Sequence, residues 1–162
     1  MVDGATVETL KAITAAFNAH DLDAMMEFFA EDSSLDMPRG PEPSGLRLEG
    51  KAAVRAGLAA LRGPPDVHYG EGRHWVSDDL GVSGWLLTGT NSNRQNVRVR
   101  GCDHWEFREG NVVLQGLVLE DRRRVDVAMN TRLQPRKATL RGNRPIRGRL
   151  RRRFDSSTAH PA

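Results

Sequence analysis

Apolar residues recur at helical spacing in the first third of the chain and at alternate positions later, so the two stretches predict different elements. Val7, Leu10, Ile13 and Phe17 share one helical face behind a cap at Asp3 or Thr6, and Asn18-Ala19-His20 ends that helix. Asp21 caps a short second helix whose Leu22, Met25, Phe28 and Phe29 make a wide apolar face, with Met25 and Met26 filling gaps in the core. The two helices are expected to form a hairpin over a sheet. Ser34 to Met37 predicts a short strand, followed by an irregular loop through Pro38, Gly40, Pro41, Pro43 and Gly45. Val54, Leu58 and Leu61 then define a third helix, stopped by Gly63-Pro64-Pro65.

From Asp66 the period becomes two. Strands are predicted over Val67 to Ser77, Gly81 to Thr90, Val97 to Arg108 and Asn111 to Leu119, with turns at Ser77-Asp78-Asp79, Asn91-Ser92-Asn93 and Glu109-Gly110. Helices first and a meander afterwards imply an α+β domain, its helices packed on one face of an antiparallel sheet. The strand beginning at Val97 carries Val97, Val99, Asp103, Trp105 and Phe107 on one face, with Gly101 among them. Arg98, Arg100, Cys102, His104 and Glu106 lie on the other. A lone carboxylate on an apolar face must find a partner, take up a proton or face a wet cavity. Asp103 therefore either hydrogen-bonds a buried backbone group or an arginine as a structural element, or serves a pocket as an acid with a raised pKa.

Composition narrows the class. The 38% apolar content suits a soluble globular domain, no apolar run approaches the ~20 residues of a membrane helix, and the N-terminus lacks the pattern of a signal peptide, so a cytoplasmic protein is expected. Cys102 is the only cysteine, which excludes an intramolecular disulfide and a thiolate metal cluster. The formal net charge of +3 is split: residues through Glu120 hold 11 Lys/Arg against 18 Asp/Glu, and the remainder holds 13 against 3. The body is acidic and the end of the chain basic, so bulk charge does not mark the domain as a nucleic-acid binder. His20, His68, His74 and His104 have no metal-ligand spacing, and neither a metal site nor a cofactor is expected. No Gly-rich phosphate loop or nucleophile elbow is present.

Phe17-Asn18-Ala19-His20-Asp21-Leu22-Asp23, Phe28-Phe29-Ala30-Glu31-Asp32, Asp36-Met37-Pro38 and Gly101-Cys102-Asp103-His104-Trp105 resemble the nuclear transport factor 2-like superfamily, most closely its SnoaL-like branch. The resemblance runs over roughly residues 5 to 114. It implies a cone-shaped α+β fold whose curved sheet wraps a pocket, usually in a homodimer, among polyketide cyclases, ketosteroid isomerases, epoxide hydrolases and members without known activity. Against the isomerase branch, the oxyanion-hole acid, which in that branch is kept protonated by its apolar site, falls on Asp103. The isomerase's general base falls on Met37 and its hydrogen-bonding tyrosine on Ile13, so a steroid isomerase mechanism is not expected. Asp36 is one residue from the base position, and strand parity turns it to the opposite face unless a bulge intervenes.

A cyclase or hydrolase requires only one acid or base set against an apolar substrate. The resemblance implies Asp103 in that role, a pocket of Ile13, Phe17, Met37, Trp75, Trp85, Val99, Trp105 and Phe107, and Asp36, Arg39 and Arg73 as polar partners. Three classes remain open: an acid–base enzyme of cyclase, isomerase or hydrolase type acting on a small, largely apolar molecule; a non-catalytic ligand-binding or scaffold dimer; and a nucleic-acid partner acting through the basic end of the chain.

The domain is expected over 1–120 and an Arg-rich, disordered tail over 121–162. With Phe154 as its only aromatic residue, that tail offers little for stacking on bases, and specific nucleic-acid recognition is not expected. The superfamily usually ends on one more inward-facing strand of the type Lys-Asp-Ser-Phe-Trp-Lys. Gln115 to Arg123 can be encoded as CAA GGA CTC GTT CTG GAA GAT CGT CGA, and omitting the first base reads Lys-Asp-Ser-Phe-Trp-Lys-Ile-Val. The expectation is a change of reading frame near Leu114 or Gln115.

Overall fold

A computed structural model describes residues 5–42, 45–61, 63–91 and 93–120. Helix α1, Val7–Asn18, opens at Thr6, whose side chain accepts the Thr9 amide, and α2, Leu22–Glu27, opens at Asp21, which accepts that of Ala24. Both caps stand where the sequence places one, Thr6 being the choice over Asp3. Phe28 closes α2 and Phe29 begins strand β1, Phe29–Glu42, which continues by a hairpin into β2, Gly45–Glu49. Helix α3, Lys51–Leu61, precedes β3, His68–Ser77; β4, Leu80–Thr90; β5, Asn96–Arg108; and β6, Asn111–Leu119.

The six strands form one curved sheet in the order β2-β1-β6-β5-β4-β3. The expectation of a wholly antiparallel sheet is corrected at one seam: β1 runs parallel to β6, with Ser34 opposite Leu114 and Asp36 opposite Gly116. The predicted loop after Met37 is also corrected, because β1 continues and pairs with β2. Beyond Asp36 that flank of β1 has no partner in β6, so Pro38 removes no ladder hydrogen bond. Gly40 and Gly45 allow the two hairpin arms to touch at their backbones, with Gly45 at φ +107°.

The helices cover one face of the sheet. Leu10, Ile13, Met26, Phe29, Leu35, Val54, Leu58, Trp105 and Phe107 pack into one cluster, and Trp85, Leu87, Val97, Val99, Leu117 and Leu119 into another. No helix of the described residues is long and apolar enough to cross a membrane. The basic segment proposed for nucleic-acid contact, and the tail as a whole, lie outside the described residues.

Candidate functional site

Strand β5 alternates as its sequence predicts, with Val97, Val99, Asp103, Trp105 and Phe107 buried and Arg98, Arg100, His104 and Glu106 exposed. Asp103 is 8% exposed. The Trp85 indole Nε1–H donates to its Oδ2 at 2.8 Å, and the Gln115 amide Nε2–H donates to its Oδ1 at 3.1 Å. Burial pushes the Asp103 carboxyl up to about 6, against the pull of the Gln115 and Trp85 hydrogen bonds. At neutral pH the carboxylate form then prevails by roughly tenfold. Each oxygen accepts one N–H and keeps a lone pair for another donor. As a carboxylate, Asp103 presents an acceptor and base, one of the two roles that the resemblance implies for it.

One position lets Trp85 reach the carboxylate. Trp85 lies opposite Gly101 in the β4–β5 register, and a Cβ at Gly101 would run into the indole ring and stand 2.7 Å from the Val118 carbonyl oxygen. The bare glycine lets the ring lie along β5 toward Asp103. Gln115, on β6, reaches the other oxygen but leaves its own Oε1 buried with no partner among the described residues.

A cavity of about 10 Å³ adjoins the carboxylate, walled by Ile13, Thr14, Phe17, Tyr69, Trp85, Asp103 and Trp105. Burial, and then the Asp103 charge, hold the Tyr69 phenol far above its usual value, so its hydroxyl keeps its proton. Trp105 is steered by a second polar set: its Nε1–H donates to Ser83 Oγ at 3.1 Å, and Ser83 Oγ lies 3.0 Å from His74 Nδ1. Burial, aided by Lys11, holds the His74 imidazole below its usual value, so the neutral ring can accept the Ser83 hydroxyl proton.

Of the residues expected in the pocket, Ile13, Phe17, Trp85 and Trp105 meet Asp103 at this cavity. Val99 packs beside Trp85, and Met37 and Phe107 pack with Trp105, all within the core. Trp75 and Arg73 are corrected to the outer face. The β3–β4 register shifts between Gly70 and Arg73, with Glu71 at φ +52°, and the extra residue turns Trp75 outward, where it is 56% exposed. Asp36 lies outward as its parity predicts, with both oxygens bound by Arg47 at 2.6 Å, which holds its carboxyl low. The Arg39 side chain lies outside the described residues. Thr14, Tyr69, Gly101 and Gln115 were not anticipated. Gly70-Glu71-Gly72 was the available signal for Tyr69, because glycines within a strand mark a bulge. Among the described residues no group of three His, Cys, Asp or Glu is placed to hold a metal ion.

Residues 10–115 match the family model of the SnoaL-like domain. The chain belongs to the SnoaL-like domain family. Solved structures share the fold of this SnoaL-like protein at low identity. A protein of unknown function with a cystatin-like fold from Xanthomonas campestris superposes with a TM-score of 0.64 at 18% identity, over 74% of this chain and 94% of that one. Bal32a, from a soil-derived mobile gene cassette, gives 0.61 at 23%, over 70% and 88%. A protein named as a SnoaL-like polyketide cyclase, from Jannaschia Sp. CCS1, gives 0.61 at 20%, over 70% and 84%. No curated protein matches this SnoaL-like chain.

Proposed function

We propose that this SnoaL-like domain binds a small, largely apolar molecule and that Asp103 acts on it as a general base, in chemistry of the cyclase, isomerase or hydrolase type. The observation that carries the reading is the carboxylate held between the Trp85 and Gln115 N–H groups beside a small cavity with largely aromatic walls. A base whose pKa lies near 6 is ionised at neutral pH and still accepts a proton readily. The chemistry it fits is abstraction of a proton next to a carbonyl group, with the aromatic walls of the pocket holding the substrate and excluding water.

The working form we propose is a cytoplasmic homodimer joined through the outer face of the sheet. Trp75, Leu80, Val82 and Val118 are apolar and exposed there, and Trp75, Val82 and His104 lie in one lateral row of the register. A ligand-binding dimer without chemistry would use the same pocket and face.

Hydrogen–deuterium exchange at the α-carbon of 2-tetralone, followed by NMR in D2O, tests the catalytic reading. Catalysed exchange should rise through about pH 6 and level off above it, and Asp103→Asn should abolish it. Exchange of equal rate in that variant would leave Asp103 without a catalytic role.

A further inference from the structure

The cavity beside Asp103 has a twin. A second space of about 10 Å³ is walled by Phe17, His20, Met25, Leu58, Leu61 and Tyr69, so Phe17 and Tyr69 stand in both walls. Their rings meet edge to face, with centroids 5.8 Å apart at 80°, and Tyr69 meets Trp85 in the same way at 5.2 Å and 89°. The partition hangs on a fixed frame. Asn18 accepts the Tyr69 backbone N–H at 2.8 Å and donates to its carbonyl oxygen at 3.0 Å, while His20 Nε2 engages the Val67 carbonyl at 3.0 Å.

Each chamber has room for about one water molecule, whereas a dry cavity that takes benzene is about 150 Å³. An aromatic ligand beside Asp103 must therefore displace part of the wall. Ile13 is fully buried in the core, and Trp85 and Trp105 are each held by an indole hydrogen bond. Phe17 is half-buried and has no polar anchor, so its ring can swing toward solvent and vacate its own volume. What it uncovers is mostly apolar, Met25, Leu58 and Leu61, with the His20 imidazole at the wall engaged by the Val67 carbonyl.

We infer that Phe17 determines specificity in this site. The ligand is a flat ring that turns a weakly acidic hydrogen toward Asp103, the C–H beside a carbonyl in a substrate or the O–H in a phenol probe, with an unbranched apolar extension passing between Phe17 and Tyr69 into the Met25–Leu58–Leu61 chamber. The inference rests on Asp103 marking the ligand site.

Binding of 4-methylphenol and 4-hexylphenol to the full chain, measured by NMR titration, tests it. Both probes should shift the Trp85 indole N–H, and the terminal methyl of the hexyl chain should give NOEs to the Leu58 and Leu61 methyls. Phe17→Ala should raise the preference for the hexyl over the methyl probe by about tenfold. Phe17→Leu keeps more of the core filled and should move the preference the same way. A hexyl chain that contacts Ile13 and Trp105 instead, or an unchanged preference in both variants, overturns the role of Phe17 and leaves the Asp103 site standing. If neither probe shifts the Trp85 indole, the ligand site itself fails, and the inference with it.

Discussion

Trp85 donates to Asp103 across 2.8 Å because the residue opposite Trp85 on the next strand is Gly101. Filling that position would push the indole away from the carboxylate and press on the Val118 carbonyl, which is backbone and yields little. Gly101→Ala should therefore destabilise the domain by about 1–3 kcal/mol, the usual range for overpacking. It should also move the Trp85 indole N–H resonance toward its solvent-exposed position. Thermal melting and a two-dimensional NMR spectrum read the two effects. A variant of unchanged stability with the indole shift intact would show that the glycine is not required.

Asp103 makes the protein less stable as pH rises. Its folded pKa of about 6 exceeds the ordinary 3.8, so the folded state holds the proton more tightly, and stability falls as pH climbs through that interval. The ionised group then costs about 3 kcal/mol at pH 7. Asp103→Asn should melt higher than the parent at pH 7 and lose this site's share of the slope between about pH 4 and 6. The amide is accommodated locally: its oxygen keeps the Trp85 bond, and a flip of Gln115 turns the partnerless Oε1 toward the new N–H. A lower melting temperature at pH 7 would contradict this account.

The two donors oppose the effect of burial, so removing either should raise the Asp103 pKa further. Trp85→Phe and Gln115→Leu should each shift the ¹³C carboxyl titration of Asp103 to higher pH. The rising limb of 2-tetralone exchange should move with it. Loss of activity with no movement of the titration would assign these residues to folding alone.

The outer sheet face gives a prediction about assembly. Val118→Asp and Trp75→Asp place charge at half-exposed apolar positions remote from the inner face. Each should convert a dimer to a monomer in sedimentation equilibrium while the Trp85 indole resonance stays in place. A parent chain that sediments as a monomer would refute the dimer.

The coding DNA across codons 110 to 125 decides the frame. We expect the codons of Gln115 to Glu120 to read CAA GGA CTC GTT CTG GAA, and the match to the family model also ends at residue 115. A frame-corrected chain would carry lysine in place of Gln115, and an ammonium beside Asp103 would pull its pKa down. Other codons would establish the Arg-rich sequence as native and bring forward a salt-dependent nucleic-acid binding assay.

Strand β5 was legible because nothing interrupts its alternation, and that sufficed to single out Asp103 and Trp105. Trp75 was misplaced because parity carries only as far as the next bulge, and one extra residue near Glu71 reverses every side chain beyond it. The β1–β2 hairpin was hidden by prolines that normally end strands. Those within β1 are tolerated because beyond Asp36 the strand has no partner on its β6 side. Gln115 and Gly101 carry no chemistry of their own in a sequence. Their meaning lies in which side chain stands across the register, and that is fixed by the fold.

The parallel seam between β1 and β6 joins residues about 80 positions apart, Ser34 against Leu114, and puts the last strand in the middle of the sheet. On a ribosome, the first hairpin and its helices must wait for nearly the whole domain to emerge before they can dock, so folding is late, non-local and slow for the domain's size. Any lesion in the final strand therefore splits the domain at its centre instead of fraying an edge.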